Sequence, residues 1–142
     1  MLKLFLGDIV KYINKQLQEV IEKYKISKTN NIIYGTNIPM PNMVLPTPWK
    51  TYIRFDESEF YFFYFDEDGI TIYTIDGKDS AFIDWNSVED FKISHFLIVG
   101  KMMIKTGGNT YKFQINRFVL GCNWIPINTK FLESNHYYYK QK

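Results

Sequence analysis

The sequence predicts a mainly β, α+β domain: seven short antiparallel strands forming a barrel or sandwich, a C-terminal helix, and an additional N-terminal amphipathic helix. Three observations carry this expectation. From residue 50 onward, short apolar runs alternate with turn formers such as Asp68-Gly69, Asp76-Gly77 and Gly107-Gly108-Asn109. One long stretch, residues 1–26, repeats apolar residues at spacings of three and four. Finally, residues 60–65 are all aromatic. A strand sends successive side chains to opposite faces, so Phe60, Phe62 and Tyr64 point one way and Tyr61, Phe63 and Phe65 the other. Both faces are apolar, so this strand must be central or have its second face covered.

A chain of 142 residues is most simply one domain with one substantial core, and its 46% hydrophobic and 18% aromatic content can offset the entropy of ordering. A net charge of +2 is too small for a protein whose main task is neutralising phosphates, which sets nucleic acid aside as a partner. The single cysteine, Cys122, has no internal disulfide partner and no metal-ligand spacing around it. The first residues carry too few consecutive apolar positions for a signal peptide, and Asp8 interrupts them; no apolar run reaches membrane-spanning length. The expectation is a soluble, cytoplasmic protein without cofactor or metal.

In chain order, residues 1–28 form the amphipathic helix, with Leu2, Leu6, Ile9, Ile13, Leu17, Val20 and Tyr24 on its stripe and Lys11, Lys15, Glu19 and Glu22 opposite. Six lysines against Asp8, Glu19 and Glu22 make this segment +3, and the remaining 11 cations and 12 acids leave −1. Residues 29–49 read as a Pro-rich linker or covering arm, because Pro39, Pro41, Pro46 and Pro48 follow the short apolar run Ile32-Ile33-Tyr34. The β domain spans residues 50–135, with strands expected at 51–55, 60–65, 70–75, 80–84, 91–99, 102–106 and 110–115. In the last of these, Tyr111, Phe113 and Ile115 are expected to face the core. A turn is expected at Gly100-Lys101, and a short helix within residues 123–134, where Pro126 is tolerated only in the first turn. Residues 136–142 read as a tail.

Several segments resemble a known family. Asp68-Gly69-Ile70 turns into a strand, and Ile83, Trp85, Val88 and Phe91 form an Ile-x-Trp-x-x-Val-x-x-Phe segment leading into the fifth strand. The hairpin from Gly107-Gly108-Asn109 through Phe113 and Ile115 follows. With strands grouped four then three before a helix, residues from about 50 to 135 resemble bacterial pleckstrin-homology-like and GRAM-like domains. The short terminal helix with Pro126 and the N-terminal helix depart from that pattern. The resemblance implies a scaffold that binds lipid headgroups or protein segments and is rarely an enzyme. It also implies cations in the first hairpin loop for headgroup binding, but Asp56, Glu57 and Glu59 stand there and would repel phosphate.

The enzymatic residue types find no spacing that supports catalysis. His95 in an apolar strand is expected to be a packed residue, His136 to lie in the tail, and Cys122 to behave as a small buried hydrophobe. Asp66, Glu67 and Asp68 read as an acidic turn rather than a calcium loop. Lys50, Arg54, Lys78, Lys101, Lys105, Lys112 and Arg117 read as solvated strand edges.

The expected function is therefore a non-catalytic module recognising a protein partner, with a regulatory or immunity-type role compatible. Its candidate surface is Phe60, Phe62 and Tyr64 with Asp56, Glu57 and Glu59. The alternative is a peripheral membrane module whose helix touches anionic lipid through Leu2, Phe5, Leu6, Lys11 and Lys15; the same helix offers a route to self-association. A smaller alternative is an apolar ligand enclosed by the barrel. The aromatic strand divides these readings: docking of the extra helix on the Phe60, Phe62 and Tyr64 face makes the helix structural, whereas a free helix leaves that face for a partner.

Overall fold

A computed structural model describes residues 2–37 and 60–139, with the side chains of residues 2–7 and of Phe96 outside the description. The elements in order are α1 (Leu2–Tyr24), β1 (Ile32–Asn37), β2 (Phe60–Phe65), β3 (Gly69–Thr74), β4 (Ser80–Asp84), β5 (Val88–Phe96), β6 (Val99–Thr106), β7 (Asn109–Asn116) and α2 (Trp124–Ser134). The strands form one seven-stranded sheet in the order β4-β3-β2-β1-β7-β6-β5, with antiparallel neighbours throughout. The class is mainly β with α+β elements, as expected. Among the described residues the hydrogen-bonded order ends at β4 and β5, so the sheet they form is open and not a closed barrel.

Seven strands are present among the described residues, but they are not the seven expected. Residues 32–37, read as part of a linker, form the central strand, paired with β2 on one side and β7 on the other. The strand expected at 51–55 lies outside the described residues, as do the four prolines at 39–48. Gly35 shows why β1 is built as it is: a Cβ there would lie 2.2 Å from the Gln114 carbonyl oxygen and 3.0 Å from the Phe63 ring. Only glycine permits that approach of neighbouring strands.

Alternation along the strands produces two cores. On one face, Ile33, Phe63, Phe65, Ile70, Phe91 and Ile104 pack together with Leu132 of α2 and Tyr137. On the other, Ile32, Tyr34, Phe62 and Tyr73 pack against Ile13, Leu17 and Val20 of α1 and Ile125 of α2. The helix therefore docks on the second aromatic face. Ile13, Leu17, Val20 and Tyr24 of its stripe cover the sheet, whereas Ile9, expected on the same stripe, is exposed; the flank is fixed by polar bonds from Gln16 Nε2 to the Ile75 carbonyl at 2.8 Å and from the Tyr24 hydroxyl to the Gly77 carbonyl at 2.8 Å. The helix ends in a Schellman-type closure. Lys25 takes φ +54°, and the Ile26 amide donates to the Ile21 carbonyl at 3.0 Å.

The second helix starts at Trp124, which places Pro126 in the first turn, where no intrahelical donor is lost. Of its two buried polar residues, Asn128 fastens it to the start of β1 and Thr129 bonds within the helix. Asn128 Nδ2 donates to the carbonyls of Thr29 (3.0 Å) and Ile32 (2.9 Å), and the Thr129 hydroxyl donates to the Ile125 carbonyl at 2.7 Å. The turn expected at Gly100-Lys101 falls earlier. Phe96 pairs with Val99, so Leu97-Ile98 is the two-residue turn, while Gly100 lies inside β6, where a Cβ would come within 2.5 Å of the Ser94 carbonyl oxygen. Tyr111, expected in the core, is exposed, whereas Phe113 and Ile115 are buried. Among the described residues no helix is long and apolar enough to cross a membrane.

Candidate functional site: a cleft between the edge strand and the C-terminal turn

Phe91, Ile93 and His95 sit at alternate positions of β5 and so share one face of the sheet's terminal strand. Across from them, α2 supplies Glu133, and the chain then turns through His136, Tyr137 and Tyr138 before reaching Tyr139. Between these two walls lies an open cleft of about 600 Å³, lined by Phe91, Ile93, His95, Glu133, His136, Tyr137 and Tyr139. The size lies within the range of ligand-binding clefts.

The segment expected to be a tail is instead part of the inner core as far as Tyr139. Tyr137 is buried, with its ring 5.3 Å from Phe65 and 6.2 Å from Phe91. His136, Tyr137 and Tyr138 have φ of 52°, 55° and 62°. Three successive non-glycine residues in the left-handed region cost roughly 1–2 kcal/mol each. Burial of the Tyr137 ring, worth roughly 1.5–3 kcal/mol, and the Tyr139 contacts with Trp85 and Phe91 at 5.3 Å offset this.

The polar end of the cleft is a short network. Glu133 Oε1 accepts from the Arg117 guanidinium, and His95 Nε2 lies 3.6 Å from the same oxygen. The Tyr137 hydroxyl is 3.3 Å from His95 Nε2. Arg117 Nη1 also donates to the Leu97 carbonyl at 3.1 Å, so this cation ties the β5–β6 turn to α2. Desolvation lowers the His95 pKa from its usual value, and Arg117 adds to that, while Glu133 opposes it. Burial raises the Tyr137 pKa, with Glu133 acting in the same direction. With its carboxylate committed to a guanidinium and its imidazole kept towards the neutral form, the network is suited to orienting a bound group by hydrogen bonds.

The residues singled out from sequence fall elsewhere. Phe62 is fully buried beneath α1, and Phe60 and Tyr64 are half-buried in the same cluster, so this face is not an exposed partner surface. The helix occupies it. Asp56, Glu57 and Glu59 lie outside the described residues, as do Lys50 and Arg54. Leu2, Phe5 and Leu6 belong to α1 but their side chains lie outside the description; Lys11 and Lys15 are exposed. Cys122 is buried in the outer core, its pKa raised by burial, whereas His95 faces the cleft on the other side of the sheet. Asp66 Oδ1 accepts from the amides of Asp68 (2.9 Å) and Gly69 (3.2 Å), which is turn chemistry. Lys105 lies 3.9 Å from Glu89, and Arg117 is held by Glu133.

Trp85, Val88 and Phe91 act together: the Trp85 indole donates to the Asp66 carbonyl at 2.8 Å and its ring lies 5.4 Å from Phe91, joining the β4 end of the sheet to β5. Glu133 and Tyr137 were not singled out from sequence, and Arg117 only as an edge cation. Their one sequence signal was the aromatic run Tyr137-Tyr138-Tyr139, too apolar for a solvated tail. A search of protein-family models returns no match to this chain, and neither does a search of curated proteins.

Proposed function

We propose that this chain is a non-catalytic binding module that captures an extended segment of a protein partner along β5. The observation that carries the reading is the coincidence of a terminal strand and a cleft: β5 ends the sheet among the described residues, and its Phe91, Ile93 and His95 line the cleft. A terminal strand directs every second amide and carbonyl outward, so an incoming extended chain gains main-chain hydrogen bonds there. Alternate side chains of that chain would point to the cleft side, where Phe91, Tyr137 and Tyr139 give apolar contact and His95, Glu133 and His136 give polar contact. The strand count, the antiparallel order and the helix after the last strand support a pleckstrin-homology-like scaffold for this role.

Selection of random peptides displayed on phage against the full chain tests the reading. Enriched peptides should carry apolar or aromatic residues at alternate positions. Their affinity should fall about tenfold or more for Ile93→Glu and stay unchanged for Lys112→Gln, which is exposed on β7. Enrichment of peptides indifferent to Ile93→Glu would refute it.

A further inference from the structure

At one corner of the sheet the chain exposes large apolar side chains where its backbone geometry gives no reason for them. Leu97 is 76% exposed and Ile98 58%, and together they are the two-residue turn between β5 and β6. Leu97 also has φ +56°, a conformation that tight hairpins ordinarily give to Gly, Asn or Asp. The position thus carries two penalties, backbone strain and exposed apolar area, each of which glycine would remove. A second turn repeats the exposure. Leu120, 80% exposed, sits in the turn closed by the Cys122 amide on the Val119 carbonyl at 2.9 Å, and Phe118 beside it is 48% exposed.

The two turns are held together. The Arg117 amide donates to the Ile98 carbonyl at 2.8 Å, and its guanidinium donates to the Leu97 carbonyl. The second turn also rests on α1: Asn14 Nδ2 donates to the Gly121 carbonyl at 3.2 Å, and a Cβ on Gly121 would meet Val10 at 2.7 Å. Val10 and Asn14 thus bring the second turn to the part of α1 that carries exposed Lys11, and exposed Lys101 follows Ile98 by three residues along β6.

We propose that these two turns form a tip that inserts into the interface of an anionic lipid bilayer, with Lys11 and Lys101 meeting the headgroup phosphates. The exposures select the partner. Side chains 76% and 80% exposed stand clear of their described surroundings, so a protein covering them would have to bring a matching pocket for each. A bilayer needs no pocket: apolar tips enter the acyl boundary while flanking lysines stay at the phosphates. This inference is independent of peptide capture at β5.

Flotation with equimolar phosphatidylserine and phosphatidylcholine vesicles at low ionic strength tests it. The full chain should float with the vesicles, and Leu97→Gly with Leu120→Ser should reduce partitioning about tenfold or more. Because glycine suits φ +56°, Leu97→Gly alone should unfold at the same or a higher urea concentration, which separates lost insertion from lost structure. Lys11→Gln with Lys101→Gln should weaken binding to the mixed vesicles and leave binding to phosphatidylcholine alone unchanged. A wild-type chain that stays in the aqueous fraction, or a Leu97→Gly/Leu120→Ser variant that floats like wild type, overturns the proposal. Equal binding to both vesicle types overturns the choice of an anionic surface.

Discussion

Phe62 and Phe63 are neighbours in β2, both are fully buried, and they lie in different cores: Phe62 beneath α1 and Phe63 beneath Phe113 and the inner sheet face. The β2 strand is therefore sandwiched along its length, and α1 is part of the folded unit. Phe62→Ala and Phe63→Ala should each destabilise the chain by about 3–5 kcal/mol in urea unfolding. A Phe62→Ala cost as small as that of an exposed position would mean that α1 does not cover this face.

Asn128 carries the junction of α2 with the start of β1. Its amide is the partner of the Thr29 and Ile32 carbonyls in a buried setting, so Asn128→Ala leaves acceptors without donors. A loss of about 1–3 kcal/mol is expected. Asn128→Asp should cost more, because a carboxylate would face two carbonyl oxygens, and that excess should shrink at low pH as the carboxyl protonates.

Gly35 and Gly108 predict opposite outcomes for glycine replacement. Gly35→Ala forces a methyl group towards the Gln114 carbonyl in the middle of the sheet and should cost about 1–3 kcal/mol or more. Gly108, with φ +78° and open space around its Cβ direction, should accept Asn within about 1 kcal/mol, since Asn tolerates the left-handed region. Thermal unfolding of the two variants checks the contrast.

His95 sets a pH dependence whose sign follows from its lowered pKa. The unfolded chain binds the proton more readily than the folded one, so the contribution is fully present above the unfolded pKa of ~6.5 and is lost as pH falls below it towards the folded value. His95→Gln should flatten the stability profile in that acidic window and leave it unchanged above neutrality. The same variant should weaken any peptide that reaches the polar end of the cleft.

How much of this was legible in the sequence depends on where each element's partners lie. The α1 periodicity and the β2 alternation are local patterns; they marked an amphipathic helix and an all-aromatic strand but left open whether the one covers the other, which the fold answers by docking them. By contrast, β1 has only three apolar residues followed by Gly35, Thr36 and Asn37; its strand identity comes from β2 and β7, dozens of residues away. The turn at Leu97-Ile98 was hidden because Gly100, the obvious turn former, is needed for close strand approach instead. The cleft was illegible for a similar reason. Its walls come from β5, α2 and a strained C-terminal turn, and only the fold brings His95, Glu133 and Tyr137 together.

Amide hydrogen exchange of the full chain, free and with a phage-selected peptide, tests the account most directly. In the free protein, residues 13–24 of α1 should exchange as slowly as β2, because they share one core, while the outward amides of β5 exchange fast. Peptide binding should slow the β5 amides and leave α1 and β2 as they were. Fast exchange of α1 beside a protected β2, or protection by the peptide on α1 and β2 instead of β5, would contradict it.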